Sequence, residues 1–247
     1  MQSMNLDLRP TPVVKKLMVG LAALWVVFSL LIHLGEQKWA AELFIALSLN
    51  PDEALLGGMV WQVLTYSLLH DLSSPSHLIF NLIGLLLLAP PLERRWGSKG
   101  FLEFAFYSAL IAGVFTLLCG MVAPSYFGAR VVGVSGVVMA VLASISFVMP
   151  DARLLLFFVI PVRARWIIWL ALGIDTLLFL GSPKGLDNGI AFHTHVGGVL
   201  AAWLLVTGNW RPSLLKDRLH LFTLTRKKRR PKLKVLKGGR DDRDLLN

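Results

Sequence analysis

Apolar residues run through this chain in blocks separated by short polar or charged breaks. Six blocks, roughly 16–34, 76–92, 101–122, 132–149, 165–182 and 191–207, come close to the roughly 20 residues that cross a hydrocarbon core as a helix. The stretch Leu154–Ile160 is also apolar, but it is short and bracketed by Pro150 and Pro161. It reads as an interfacial connector, not a seventh span. The long connection between the first two blocks, about 35–75, carries apolar patches broken by Asn50-Pro51-Asp52 and Gly57-Gly58. These are turn signals, and the segment reads as short helices lying in the interface. The pattern therefore predicts an all-α membrane protein built as a six-transmembrane-helix bundle. Residues 1–15 form a cytoplasmic N-terminal segment, 16–207 the membrane domain and 208–247 a basic tail whose last 20 or so residues are expected to be disordered.

Composition supports this reading. Of the 247 residues, 55% are hydrophobic, more than a soluble domain can cover with polar surface. The first block follows Lys15-Lys16 and lacks a small-residue cleavage site, so it reads as a retained helix. Six spans place both termini on one side. Only Lys38, Arg130 and Lys184, three of the 25 Lys and Arg residues, then fall on the other side. Positive charge stays inside, so both termini are expected in the cytoplasm. Trp96, Trp166 and Trp210 fall at cytoplasmic ends, where amphipathic rings sit. The run Arg226–Arg230 suits nucleic acid or an anionic bilayer surface. On a polytopic chain lipid is the expected partner, and nucleic acid is not. The single Cys119 excludes an intrachain disulfide and reads as packing.

Four polar residues then stand out, because the topology puts them at matching depth near the outer face. Ser135 lies about three residues into the fourth block, in Gly133-Val134-Ser135-Gly136. At a helix start, free N–H groups and the positive dipole end would stabilise a developing oxyanion. Small-residue helix packing accounts for the same four residues. His195 opens the sixth block, followed by Val196, Gly197 and Gly198. Histidine is the ordinary base for a serine hydroxyl; it also serves as a packing group bonded to a carbonyl. The glycines at 197 and 198 allow a neighbouring helix to come close. His77 and Asn81 are four apart at the start of the second block, on one helix face. They suit a pair of oxyanion donors or helix–helix hydrogen bonds.

With these residues in order, the chain resembles the rhomboid family of intramembrane serine proteases over about 60–207. The resemblance rests on Thr65–His70, His77-x-x-x-Asn81, Glu93-Arg94-Arg95-Trp96-Gly97-Ser98, Gly133-x-Ser135-Gly136 and His195-x-Gly197-Gly198. It implies a rhomboid-like six-helix bundle in which Ser135 matches the nucleophile and His195 the base of a Ser–His dyad. His77 and Asn81 match the oxyanion donors, with Gly133, Gly136, Gly197 and Gly198 as supporting motif positions. It implies cleavage of transmembrane protein substrates near the extracytoplasmic face, without metal or cofactor, in a multi-pass protein of the bacterial inner membrane type. The other reading is a catalytically silent member that binds transmembrane clients. The chain departs from the family pattern in several places. Gln62 follows Trp61 where arginine is common, and Pro90-Pro91 end the second span where glycine is usual. Met139 replaces an aromatic that stacks on the imidazole.

The remaining ionisable groups are assigned by place. Asp175, in the fifth block, reads either as an acid behind His195 or as a bonded structural group; the family's two-residue dyad favours the second. Glu93 lies too far from His77 for catalysis and is expected to tie loop ends together. His193 points away from the His195 face, and His70 supports the outer loop. Three histidines near one face raise a metal site, but no carboxylate accompanies them at ligand spacing, so no metal is expected.

Overall fold

The structure, a computed structural model, describes residues 9–156, 159–181 and 191–208. The chain separates at Gly208 into Met1–Gly208 and Asn209–Asn247. The basic tail, Trp210 and the expected C-terminal disorder lie outside the described residues.

The apolar blocks become six helical legs. α1 (Pro12–Leu34), α5 (Pro75–Val122) and α8 (Ala164–Gly181) are each long and apolar enough to cross a membrane. α5 spans 48 residues, but its backbone breaks at Gly97, where φ is 74° and ψ is 162°. Only glycine adopts that conformation without strain. The break divides α5 into legs 75–96 and 98–122. Two shorter apolar helices, α7 (Ser135–Val148) and α9 (Phe192–Thr207), complete the set. The protein is an all-α membrane protein. One expectation needs correction: Pro90-Pro91 do not end the second span. Both prolines lie inside α5, with Pro90 buried, and tertiary packing carries the helix past the missing donors. It turns instead at the glycine.

The connector Leu154–Ile160 does not span, as expected, but it is not featureless. β1 (Arg153–Leu156) pairs antiparallel with β2 (Ile160–Arg163), Arg153 opposite Arg163. The pairing satisfies backbone groups that an irregular apolar loop would leave bare. An ion pair of Arg165 with Asp151 and a bond from the Arg165 N–H to the Pro150 carbonyl (3.1 Å) close its base.

The outer connection forms α2 (Lys38–Leu47), α3 (Pro51–Leu55) and α4 (Gln62–Thr65), followed by a tight turn, Tyr66–Leu68. Asn50 caps α3 by accepting from the N–H groups of Asp52 and Glu53. Gln62 is fully buried. It accepts from the Asn50 N–H at 3.0 Å and donates to Glu53 at 3.2 Å. Arg130, from the loop before α7, ion-pairs with Glu53 and donates to the Ile45 carbonyl at 2.8 Å. Leu49 and Val131 form an isolated bridge, so the outer connection and the loop before α7 meet at one end of the bundle.

Glu93 holds the opposite end together. Its buried carboxylate accepts from the Thr11 hydroxyl, from the N–H groups of Val13 (3.0 Å) and Val14 (3.1 Å), and from Ser98 Oγ at 2.6 Å. Two of these donors are orphan amides of the first turn of α1. One carboxylate therefore caps α1 and pins the break at Gly97. The core runs along α5, α7 and α9, with Leu85, Leu92, Phe101, Ala140, Val141 and Ile145 among its most buried members.

Candidate functional site

The site forms where the first turns of α5, α7 and α9 converge. The approach of α7 to α9 governs it. A Cβ on Gly198 would collide with the carbonyl of Gly136, and one on Gly136 would lie 3.3 Å from the Thr194 carbonyl. A Cβ on Gly197 would sit 2.9 Å from Cα of Ala112 in α5. Backbones meet at this distance only where side chains are missing. Ser135 precedes Gly136 and opens α7; His195 follows Thr194 in the first turn of α9. The three helices therefore bring both residues to one end of the bundle. Thr194 and Thr116 share a hydrogen bond of 2.7 Å, and Thr116 donates onward to the Ala112 carbonyl. This tie fixes the rotation of α9 against α5.

His77 comes up on the other flank of Ser135. Gly133 lies between them: a Cβ there would be 2.8 Å from Cε1 of His77 and 3.7 Å from Oγ of Ser135. Gly133 has φ +125°, a conformation closed to other residues, and its N–H donates to the Tyr66 carbonyl at 3.0 Å. Two physical reasons therefore demand glycine at this position. Asn81 is buried, 5% exposed, and its amide donates to the His77 carbonyl at 3.0 Å. One N–H of that amide is used in this way, and the second is left for another acceptor. The His70 ring meets the His77 ring edge-on, with centroids 5.3 Å apart. Burial, reinforced by the nearby His77, lowers the His70 pKa to about 4, which keeps His70 neutral at ordinary pH.

The His195 ring makes one hydrogen bond among the described residues: Nδ1 lies 2.6 Å from Oδ2 of Asp175 in α8. Both side chains are largely enclosed, 13% and 14% exposed. No hydrogen bond joins Ser135 to His195. His195 is close enough to interact electrostatically with His77 and with His193. His193 is buried, and its ring lies 5.0 Å from that of Phe127. Phe127 stacks on Phe179, and Phe179 on Phe192. This aromatic column joins α6 (Pro124–Phe127), α8 and α9 beside the site. Met139 is buried in the core cluster.

All four candidate residues and their supporting glycines thus gather at one end of the bundle. The partner of His195 is the acid that the residue pattern offers only as the less favoured of two readings of Asp175. A depth comparison favours that reading. Asp175 lies six residues before the end of α8 and His195 three residues past the start of α9, about 9 Å and about 4.5 Å from the same end at helical rise. Among the described residues, no group of three or more His, Cys, Asp or Glu side chains is arranged to hold a metal ion.

No curated relative matches the chain. A family model described as Rhomboid domain matches residues 57–211, a stretch that takes in α4 through α9 and every residue of the convergent site. Covering more than half of the sequence, that match shows that the chain belongs to the rhomboid family.

Proposed function

We propose that this protein is an intramembrane serine endopeptidase that cleaves transmembrane protein substrates near the extracytoplasmic face. His195 takes the proton of the Ser135 hydroxyl as the oxygen attacks a substrate carbonyl. Asn81, His77 and the Ser135 N–H hold the tetrahedral oxyanion. His195 then gives its proton to the leaving amine as the carbon–nitrogen bond breaks. Water from the outer side attacks the acyl-enzyme, again with His195 as base, and releases the acid and free Ser135.

The observation that carries this reading is the backbone contact of Gly136 with Gly198. It sets a hydroxyl and an imidazole on the facing first turns of two helices, with His77 against Gly133 beside them. A catalytic hydrogen bond that is absent without substrate is ordinary for such sites, since these bonds tighten in the Michaelis complex. The opening of α7 also supplies unbonded N–H groups and a positive dipole end beside Ser135. The charge pattern supports cytoplasmic termini and a basic tail facing anionic lipid, and the compact six-span core fits a bacterial inner membrane.

The competing reading is a silent family member that grips transmembrane clients without cutting them. Reconstituted protein, incubated with a panel of single-span membrane proteins, separates the two. Cleavage by wild type, lost in Ser135→Ala and in His195→Ala while both variants remain folded, supports the protease. Cleavage that persists in Ser135→Ala rules out the nucleophile.

A further inference from the structure

We propose that Asp175 is a positioning residue for His195: its carboxylate accepts a hydrogen bond from Nδ1–H and so fixes Nε2 as the basic ring nitrogen. The inference rests on the dyad reading above and extends it to a third side chain.

A carboxylate in the middle of an apolar helix is costly unless it is paired. α8 buries only Ala164, Ile167 and Ile168, all near its start, so apolar packing of its second half does not account for a carboxylate held there. Yet Asp175 is only 14% exposed, and its Oδ2 lies 2.6 Å from Nδ1 of His195. An ionised carboxylate only accepts hydrogen bonds, and a neutral imidazole has one donor and one acceptor nitrogen. The contact therefore puts the ring hydrogen on Nδ1 and leaves the lone pair on Nε2. Nε2 is then the nitrogen that takes the Ser135 proton. The carboxylate also faces the positive charge that His195 acquires in that step. Among the described residues, Asp175 is the carboxylate that hydrogen-bonds this ring.

Two measurements test the role. In the first, wild type, Ser135→Ala, Asp175→Asn and Asp175→Glu are treated with a small fluorophosphonate, and a cleavable substrate gives kcat and KM. The expected result is labelling and kcat about 10- to 10²-fold lower in Asp175→Asn, part of the ~10²–10⁴ that acid–base catalysis contributes. KM and thermal unfolding should be unchanged, with partial recovery in Asp175→Glu. Labelling of Asp175→Asn at or above the wild-type rate, with Ser135→Ala unlabelled, overturns the positioning role and leaves the dyad standing. Labelling of Ser135→Ala overturns the dyad and the role built on it.

The second measurement needs no variant of Asp175. Nitrogen-15 NMR of histidine-labelled wild type, with His195 assigned by its loss in His195→Ala, reads the tautomer at alkaline pH. A proton on Nδ1 is expected; a proton on Nε2 overturns the proposal even if Asp175 variants fail to fold.

Discussion

Gly198 of α9 packs directly on the peptide carbonyl of Gly136 in α7, so close that no side chain fits between them. The contact lies one residue past Ser135 and three past His195. The separation of the backbones that carry Ser135 and His195 is therefore set by a contact that leaves no room for a side chain. Gly198→Ala should push α9 off α7. Overpacking of this kind costs about 1–3 kcal/mol, and thermal unfolding in detergent should register it. Cleavage should fall further than stability alone explains, because a displacement near 1 Å at reacting atoms typically costs about 10² in rate. A variant with wild-type rate would show that the contact does not position the site.

Asn81→Ala tests the oxyanion assignment. Removing one such donor typically costs ~10²–10³ in kcat. The loss should appear in kcat with KM little changed, since the interaction forms only as charge develops on the oxygen. Because Asn81 also bonds the His77 carbonyl, the variant's thermal unfolding should be measured alongside. A rise in KM at constant kcat would make Asn81 a substrate-binding group instead.

Much of this architecture was legible in the residue pattern, and the exceptions have physical causes. Hydrophobic blocks marked the six legs because each must cover its backbone in lipid without help from water. Gly133, Ser135, His195 and the Gly197-Gly198 pair could be read because their chemistry is rare in an apolar helix. Two features escaped, and a third, the pairing of Asp175 with His195, was only the less favoured of two readings. Pro90-Pro91 suggested a helix end, but packing in α5 outweighs their lost hydrogen bonds, and the chain turns at Gly97. The pairing of β1 with β2 was hidden in a seven-residue apolar stretch too short to show alternation. The bond between Asp175 and His195 joins residues 20 apart across the α8–α9 connection, and only helix packing decides which face of α8 meets the histidine.

His70 gives a pH test of the outer connection. Its folded pKa is lowered to about 4 from an ordinary 6.5, first by burial and then by His77. Between those values the unfolded chain binds the proton more readily than the folded one. The contribution of neutral His70 is therefore complete above 6.5 and declines as pH falls toward about 4. Thermal unfolding of wild type should weaken over that window. His70→Phe, which cannot take up a proton, should flatten the decline; an unchanged slope would assign the pH dependence to other groups.

The account depends above all on Ser135 being an activated nucleophile. The most direct measurement is to treat the folded protein in detergent with a fluorophosphonate, digest it and locate the phosphonyl group by mass spectrometry. The expected result is a single adduct on Ser135, lost when His195 is replaced by alanine because the hydroxyl then lacks its base. No adduct on folded wild-type protein, or an adduct on another serine that survives in Ser135→Ala, would contradict the account.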